Sequence, residues 1–317
     1  MKIGRILVTG SRGFLGRHAV AALRDRYGSD QVTCVSSEDY DLIDPAQARR
    51  MLEDNKPDVL LHLAGYVGGI GANRAQPADF FYRNIQMTTQ VFEAAARGRV
   101  RKMIFTMGGC SYPGSATSPI GEEQMWNGYP QADSAAYSSA KKMGIVASHA
   151  YRQQYGLNSA VMVPGNVYGE YDNFRENESH VIPAMIRRFV EAKRQGVKEV
   201  VCWGRGTPVR DFVYVADVAR AIPFFIESYD SSEPVNISSG TSTSIRELAE
   251  TVQELTGYPG DIRWDTSKPE GQLVKSFDVT RMKQLGIHCD TSLRDGLQQT
   301  IRWFEANYHD RGDGLRL

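Results

Sequence analysis

Apolar residues in the first third of the chain fall into short continuous runs. Between the runs lie longer stretches in which apolar positions recur every three or four residues. A short apolar run with turn residues at its ends reads as a strand buried on both faces, and the 3.6-residue period reads as a helix with one buried face. The runs Arg5–Thr9, Val32–Val35, Val59–Gly65 and Lys102–Thr106 are therefore expected as strands. Helices are expected over Arg17–Tyr27, Pro45–Asn55 and Asp79–Gly98. Strict alternation of this kind predicts an α/β fold, a doubly wound parallel sheet of the Rossmann type with helices on both faces.

The alternation loosens from about Gly169. The expected organisation is a first domain over 1–168 and a smaller mixed α/β substrate-binding lobe over 169–317, with the chain returning to the main sheet at about 212–240. Asp217–Ala221 is expected as helix and Val235–Ile237 as strand, with amphipathic helices over Ser244–Thr256 and Leu293–Asn307.

The first strand runs directly into Gly10-Ser11-Arg12-Gly13-Phe14-Leu15-Gly16. Glycines between a buried strand and a helix start permit a tight turn, and the helix amino terminus then faces a pyrophosphate. The spacing is Gly-x-x-Gly-x-x-Gly, and it predicts dinucleotide binding. An acid after the second strand would favour NAD by holding ribose hydroxyls. Ser36-Ser37 stand at that place, with Glu38 and Asp39 just beyond, while Arg12 offers a guanidinium for a 2′-phosphate. The expected cofactor is NADP(H), with NAD(H) as the alternative.

Lys and Arg together number 37 and Asp and Glu number 37, so the formal net charge is zero. That balance gives no general attraction to nucleic acid or to an anionic membrane. No apolar run is long enough to cross a bilayer, no secretory leader precedes the first strand, and a cytoplasmic setting is expected. Cys34, Cys110, Cys202 and Cys289 share no metal-ligand or short disulfide spacing, and no metal is expected.

Tyr137 and Lys141 stand four residues apart in Tyr-Ser-Ser-Ala-Lys, one helical turn, so a helix brings phenol and ammonium to one face. Such a pair also arises by chance on amphipathic helices, but here it follows a dinucleotide loop. Upstream, Cys110 lies in Met107-Gly108-Gly109-Cys110-Ser111-Tyr112-Pro113.

With these residues the chain resembles the extended short-chain dehydrogenase/reductases, and within them the GDP-L-fucose synthase family. The resemblance covers nearly the whole chain. It includes Ala64–Asn73, Asn84, Pro164–Gly169, Asp172–Phe174, Ser179–Ala184, Trp203–Pro208, Arg210–Phe212 and Ser267–Gly271. It implies C3/C5 epimerisation and C4 reduction of a GDP-4-keto-6-deoxy sugar. Tyr137 would protonate the C4 oxygen, and Lys141 would bind the nicotinamide ribose and ease the ionisation of the phenol. Cys110 and His180 would move the protons at C3 and C5.

The resemblance further places Gly10, Arg12, Gly13, Phe14, Leu15, Gly16, Leu63, Ala64, Gly65, Pro164, Asn166, Val167 and His180 at the cofactor, with Tyr137 and Lys141. Asn166, Arg187, Trp203, Arg210 and Lys275 would meet the GDP-sugar, and a homodimer is implied. Elementary chemistry agrees on the proton transfers. A C–H beside a ketone is acidified by enolate formation, and inversion needs two groups on opposite faces. Two departures stand out: Gly108 replaces a serine that assists the tyrosine, and Val274 replaces a basic residue before Lys275. The first leaves two further readings, an epimerase of a GDP-4-keto-hexose or -heptose without net reduction, and a silent dinucleotide-binding scaffold.

Overall fold

The computed structural model describes residues 3–175, 178–267 and 272–308. In chain order the first part contains β1 (Ile6–Thr9), α1 (Phe14–Tyr27), β2 (Val32–Val35), α2 (Pro45–Asn55), β3 (Val59–His62) and α3 (Ile70–Ala75). It continues through α4 (Pro77–Arg97), β4 (Lys102–Thr106), α5 (Ala135–Tyr155) and β5 (Asn158–Pro164). Then follow β6 (Asn166–Tyr168), α6 (Val181–Gln195), β7 (Glu199–Trp203), β8 (Val209–Tyr214), α7 (Val215–Glu227) and β9 (Pro234–Ile237). The last described elements are β10 (Ser242–Ser244), α8 (Ile245–Thr256), β11 (Asp261–Asp265), β12 (Val274–Lys275), α9 (Thr280–Gln284) and α10 (Leu293–Asn307).

Six parallel strands form the main sheet in the order β2-β1-β3-β4-β5-β9. Every residue of β1, β3 and β4 is buried, as a strand covered on both faces requires. One core packs Ala19 and Leu23 of α1 with Val218, Ile222 and Phe225 of α7 against Ile6, Val8 and Ile104 of the sheet. On the opposite face Met51, Val91, Phe92 and Ile145 close over Leu7, Leu60, Met103 and Phe105. Strand order reverses between β1 and β3, and the carboxyl ends of these strands open the crevice where doubly wound sheets bind ligands.

A third core lies apart from the main sheet, where Ile186 and Phe189 of α6 meet Leu248 and Val252 of α8 and Leu297 and Phe304 of α10. Its strands make a four-stranded sheet centred on β8, with β6, β10 and β12 as partners, and a separate β7–β11 pair.

Four expectations need correction. Helix α1 begins at Phe14, so Phe14, Leu15 and Gly16 are helical residues whose first amides face the loop. Strand β3 ends at His62, which leaves Leu63, Ala64 and Gly65 as crossover backbone. The short helix α3 was not signalled, because its six residues are too few to show a period. Phe212–Tyr214, a buried run like those of the main sheet, belongs instead to the small sheet, and only β9 returns to the large one. The 268–271 part of the Ser267–Gly271 motif lies outside the described residues.

Candidate active site

Gly10 adopts φ +68, and a Cβ there would come within 2.7 Å of the Ala64 nitrogen. Only glycine allows β1 to turn this tightly beneath the β3 crossover. A Cβ at Gly16 would lie 2.1 Å from the Gly10 carbonyl, so that position also needs a bare backbone. Gly13 caps α1 without any side-chain hydrogen bond, which leaves the first amides of the helix for an anion. The loop, the helix start and Leu63–Gly65 thus form a cradle that fits a dinucleotide. Beside it Arg12 pairs with Glu38, both exposed, while Asp39 accepts hydrogen bonds from the backbone and hydroxyl of Ser36.

Tyr137 and Lys141 occupy the first two turns of α5. The phenol ring meets the edge of Phe80 at 6.3 Å between centroids. Lys141 is buried, and its Nζ stands 4.5 Å from the centre of the Phe105 ring. His62 stacks on the same phenylalanine at 5.8 Å. Gly144 makes this approach possible, because a Cβ there would lie 2.2 Å from Phe105 Cε1.

Burial pushes Lys141 down to about 8, opposed by the charge of Cys110. Tyr137 is pushed up, first by burial and then by Cys110. His62 is pushed down to about 3 by burial and by Lys141, so it is neutral beside the ammonium. Its Nδ1 lies 2.8 Å from Thr9 Oγ1, which also accepts the Ala64 amide at 3.3 Å. A chain of contacts therefore links the Gly10 cradle to Lys141.

Cys110 sits in a tight turn after β4, as a half-buried free thiol. Gly108 has ordinary extended backbone, φ −93 and ψ 154, and a Cβ there would meet only Cys110, 3.2 Å from its Sγ. Gly109 differs: a Cβ would lie 2.4 Å from Phe277 Cζ. His180 caps α6, exposed and without a side-chain cap hydrogen bond. Its segment lies against the Val67–Ile70 loop, where the Gly69 amide donates to the Glu178 carbonyl at 3.2 Å. No hydrogen bond joins His180 to Cys110 among the described residues.

Pro164 ends β5, and Asn166 and Val167 start β6, with Asn166 Nδ2 donating to the Asp211 carbonyl at 2.8 Å. Trp203 is 61% exposed at the end of β7. Arg187 donates to Glu191 at 2.8 Å and to the Phe174 carbonyl at 3.1 Å. Arg210 donates to the carbonyls of Val209 and Gln272, both at 2.7 Å, and burial lowers its affinity for a proton. Lys275 pairs in register with Arg210. Among the described residues no cluster of His, Cys, Asp or Glu is arranged to hold a metal.

Several positions were not singled out from sequence. His62 and Phe105 pack around Lys141. Asn84, which the resemblance already includes, fastens the crossover at Tyr66 to α4 by accepting from the Tyr66 amide and donating to its carbonyl. Phe277 walls the cysteine turn. A polar His62 inside an otherwise apolar strand was the one signal available.

Residues 6–238 match the family model described as the NAD dependent epimerase/dehydratase family. The chain is 39% identical over 310 residues to GDP-L-fucose synthase 1 of Arabidopsis thaliana, covering 98% of this chain and 96% of that one. The structure of a GDP-L-fucose synthetase from Naegleria fowleri bound to NADP superposes with a TM-score of 0.88 at 26% identity, covering 99% of this chain and 97% of that one. A GDP-6-OMe-4-keto-L-xylo-heptose reductase from C. jejuni superposes with a TM-score of 0.89 at 25% identity, covering 97% and 99%. A glycine cradle at the strand-order reversal, a Tyr–Lys pair one helical turn apart and similarity along almost the entire length lead to one conclusion: this chain belongs to the NAD dependent epimerase/dehydratase family.

Proposed function

We propose that the chain is a GDP-4-keto-6-deoxy-sugar 3,5-epimerase and NADPH-dependent 4-reductase. One observation carries this reading: helix α5, which bears Tyr137 and Lys141, packs against the Gly109–Ser111 turn that holds Cys110. A proton donor for a carbonyl oxygen and a thiol for the neighbouring C–H therefore share one site. Epimerisation and reduction of a single keto sugar need that combination.

NADPH is the cofactor; the Gly10–Gly16 cradle would hold it, and it would supply a hydride for C4. Tyr137 then gives its proton to the C4 oxygen. Lys141, one helical turn further along α5, would favour the phenolate left behind and hold the ribose; a Cβ at Gly65 would lie 3.8 Å from its Nζ. Cys110 and His180 take and return protons at C3 and C5. Asn166, Arg187, Arg210 and exposed Trp203 supply polar and stacking surface for the GDP group.

The dinucleotide half, 1–168, and the substrate lobe, 169–317, divide these tasks. A homodimer is supported by the apolar side chains on the outer faces of α4 and α5, Phe81, Tyr82, Met143 and Val146, all exposed. No helix among the described residues is long and apolar enough to cross a membrane. The four cysteines are free, which suits a cytoplasmic setting.

Gly108 favours a second reading. Without the assisting hydroxyl, the same site epimerises a GDP-4-keto-hexose or -heptose without net reduction. The deciding experiment supplies GDP-4-keto-6-deoxymannose with NADPH in deuterated water. Stoichiometric NADPH oxidation with deuterium at C3 and C5 is expected. Deuterium without oxidation would select the second reading, and neither signal would remove both.

A further inference from the structure

The backbone of Gly69 has no need of a glycine: φ −63 and ψ 176 are values that any residue adopts. What the position lacks is room. A Cβ there would lie 2.6 Å from the Glu178 carbonyl oxygen and 3.1 Å from the carbonyl carbon. The same two residues are joined by a hydrogen bond, the buried Gly69 amide donating to the Glu178 carbonyl at 3.2 Å. Close approach of two backbones, and not a turn, therefore accounts for the glycine.

The two sides of this contact lead to different chemical groups. On one side the loop is fastened to the surroundings of Tyr137. Asn73 donates through Nδ2 to the carbonyls of Gly68 and Gly69, at 2.9 and 3.1 Å, and its buried Oδ1 has no partner among the described residues. A Cβ at Gly68 would lie 3.0 Å from Phe80 Cζ, and the Phe80 ring is the one that meets Tyr137. Arg74, in the last turn of α3, makes a two-pronged ion pair with Asp133 at 2.8 and 2.9 Å, in the turn just ahead of α5. On the other side the Glu178 and Ser179 amides both donate to the Arg175 carbonyl, at 3.3 and 3.2 Å, and the next residue is His180 at the cap of α6. His180 makes no side-chain cap bond of its own, so the backbone on either side sets its place.

We propose that Gly69 is a positioning residue for His180: its bare amide, held by Asn73, docks the Glu178–His180 segment on the loop that leads back to Tyr137. The proposal rests on the epimerase reading, in which His180 and Tyr137 handle protons of one sugar from different helices. A displacement of about 1 Å at such a group is enough to cost about a hundredfold in rate. A 2.6 Å contact with a carbonyl oxygen cannot be relieved without a shift approaching that size.

Gly69→Ala tests the docking in two ways. Amide hydrogen exchange read by mass spectrometry needs no sugar: the peptide over 178–184 should take up deuterium about tenfold or more faster than in the parent, with the NADPH Kd within about twofold. Entry of solvent deuterium at C3 and C5 of GDP-4-keto-6-deoxymannose should fall about tenfold or more in kcat. In a His180→Ala background, the label that Cys110 still introduces should fall by less than about twofold on adding Gly69→Ala, because a residue acting through the histidine has nothing left to act on. Asn73→Asp removes the donated bonds without adding bulk; it should reproduce the pattern, and it decides the matter should Gly69→Ala not fold. Equal losses in the two backgrounds, or unchanged uptake over 178–184, would overturn the proposal. Faster uptake in a chain whose wild type labels no sugar would uphold the docking and sink the sugar reading.

Discussion

The ring of Phe277 fills the room that a side chain at Gly109 would need, with only 2.4 Å between Phe277 Cζ and a Cβ built on the glycine. Overpacking of this kind costs about 1–3 kcal/mol. Gly109→Ser should lower the urea midpoint accordingly, and Phe277→Leu in the same chain should recover part of the loss. Equal destabilisation by Gly109→Ser with and without Phe277→Leu would show that the two positions do not compete.

Gly108 carries no such constraint. Its backbone suits any residue, and an added Cβ meets Cys110 Sγ at 3.2 Å, a contact relieved by a shift of a few tenths of an ångström. Gly108→Ser should fold as the parent does and place a hydroxyl beside Tyr137. Donors aimed at a developing oxyanion are worth about two orders of magnitude or more, so NADPH turnover should rise by roughly tenfold in a site not built around it. A rate at or below the parent's would mean that the glycine costs nothing.

Lys141 loses its proton as pH rises through about 8. With the ammonium as the proposed working form, kcat/KM for reduction should be level below that pH and fall above it. Lys141→Met should lose more than about a hundredfold in kcat/KM and show no such limb. A profile flat to pH 9.5 in the wild type would dissociate the lysine from the chemistry.

His62 binds a proton in the folded chain only near pH 3, against 6.5 for an ordinary histidine. The unfolded chain therefore takes up the proton first. The stability that neutral His62 contributes is complete above pH 6.5 and is lost progressively as pH falls toward 3. Between pH 7 and pH 5 this group should remove about 2 kcal/mol. Urea titrations of His62→Gln should show a shallower acid slope than wild type, and parallel slopes would refute the assignment.

Glu38 is paired with Arg12, the guanidinium we propose for the 2′-phosphate. An exposed ion pair is weak, so a 2′-phosphate can displace it, but at some cost in affinity. Glu38→Gln should tighten NADPH binding by about two- to fivefold and leave NADH unchanged or weaker, read as dissociation constants from cofactor fluorescence. Equal gains for both cofactors would remove Arg12 from the discrimination.

The main sheet was legible because its strands are buried on both faces and leave uninterrupted apolar runs, as Ile6–Thr9 and Lys102–Thr106 show. The Gly10 loop was legible because its steric demands leave no alternative residue. Lys275 was recognisable as a cation but not as part of a strand paired to β8 beside Arg210. Its placement depends on β12, two residues long, and on hydrogen bonds to a loop more than 150 residues earlier. The stack of His62, Phe105 and Lys141 draws one residue from each of three elements, and no local pattern records such a meeting.

The segment from Gln272 to Asp278 is laced to the cysteine loop. Gln272 donates to the Gly114 carbonyl at 2.6 Å, Ser118 to the Val274 carbonyl at 3.2 Å, and Ser276 and Asp278 bracket Ile120. The surroundings of the thiol are thus made by residues more than 150 positions after the loop they bind, so the Gly10 cradle has its whole sequence translated well before the cysteine turn has its partners.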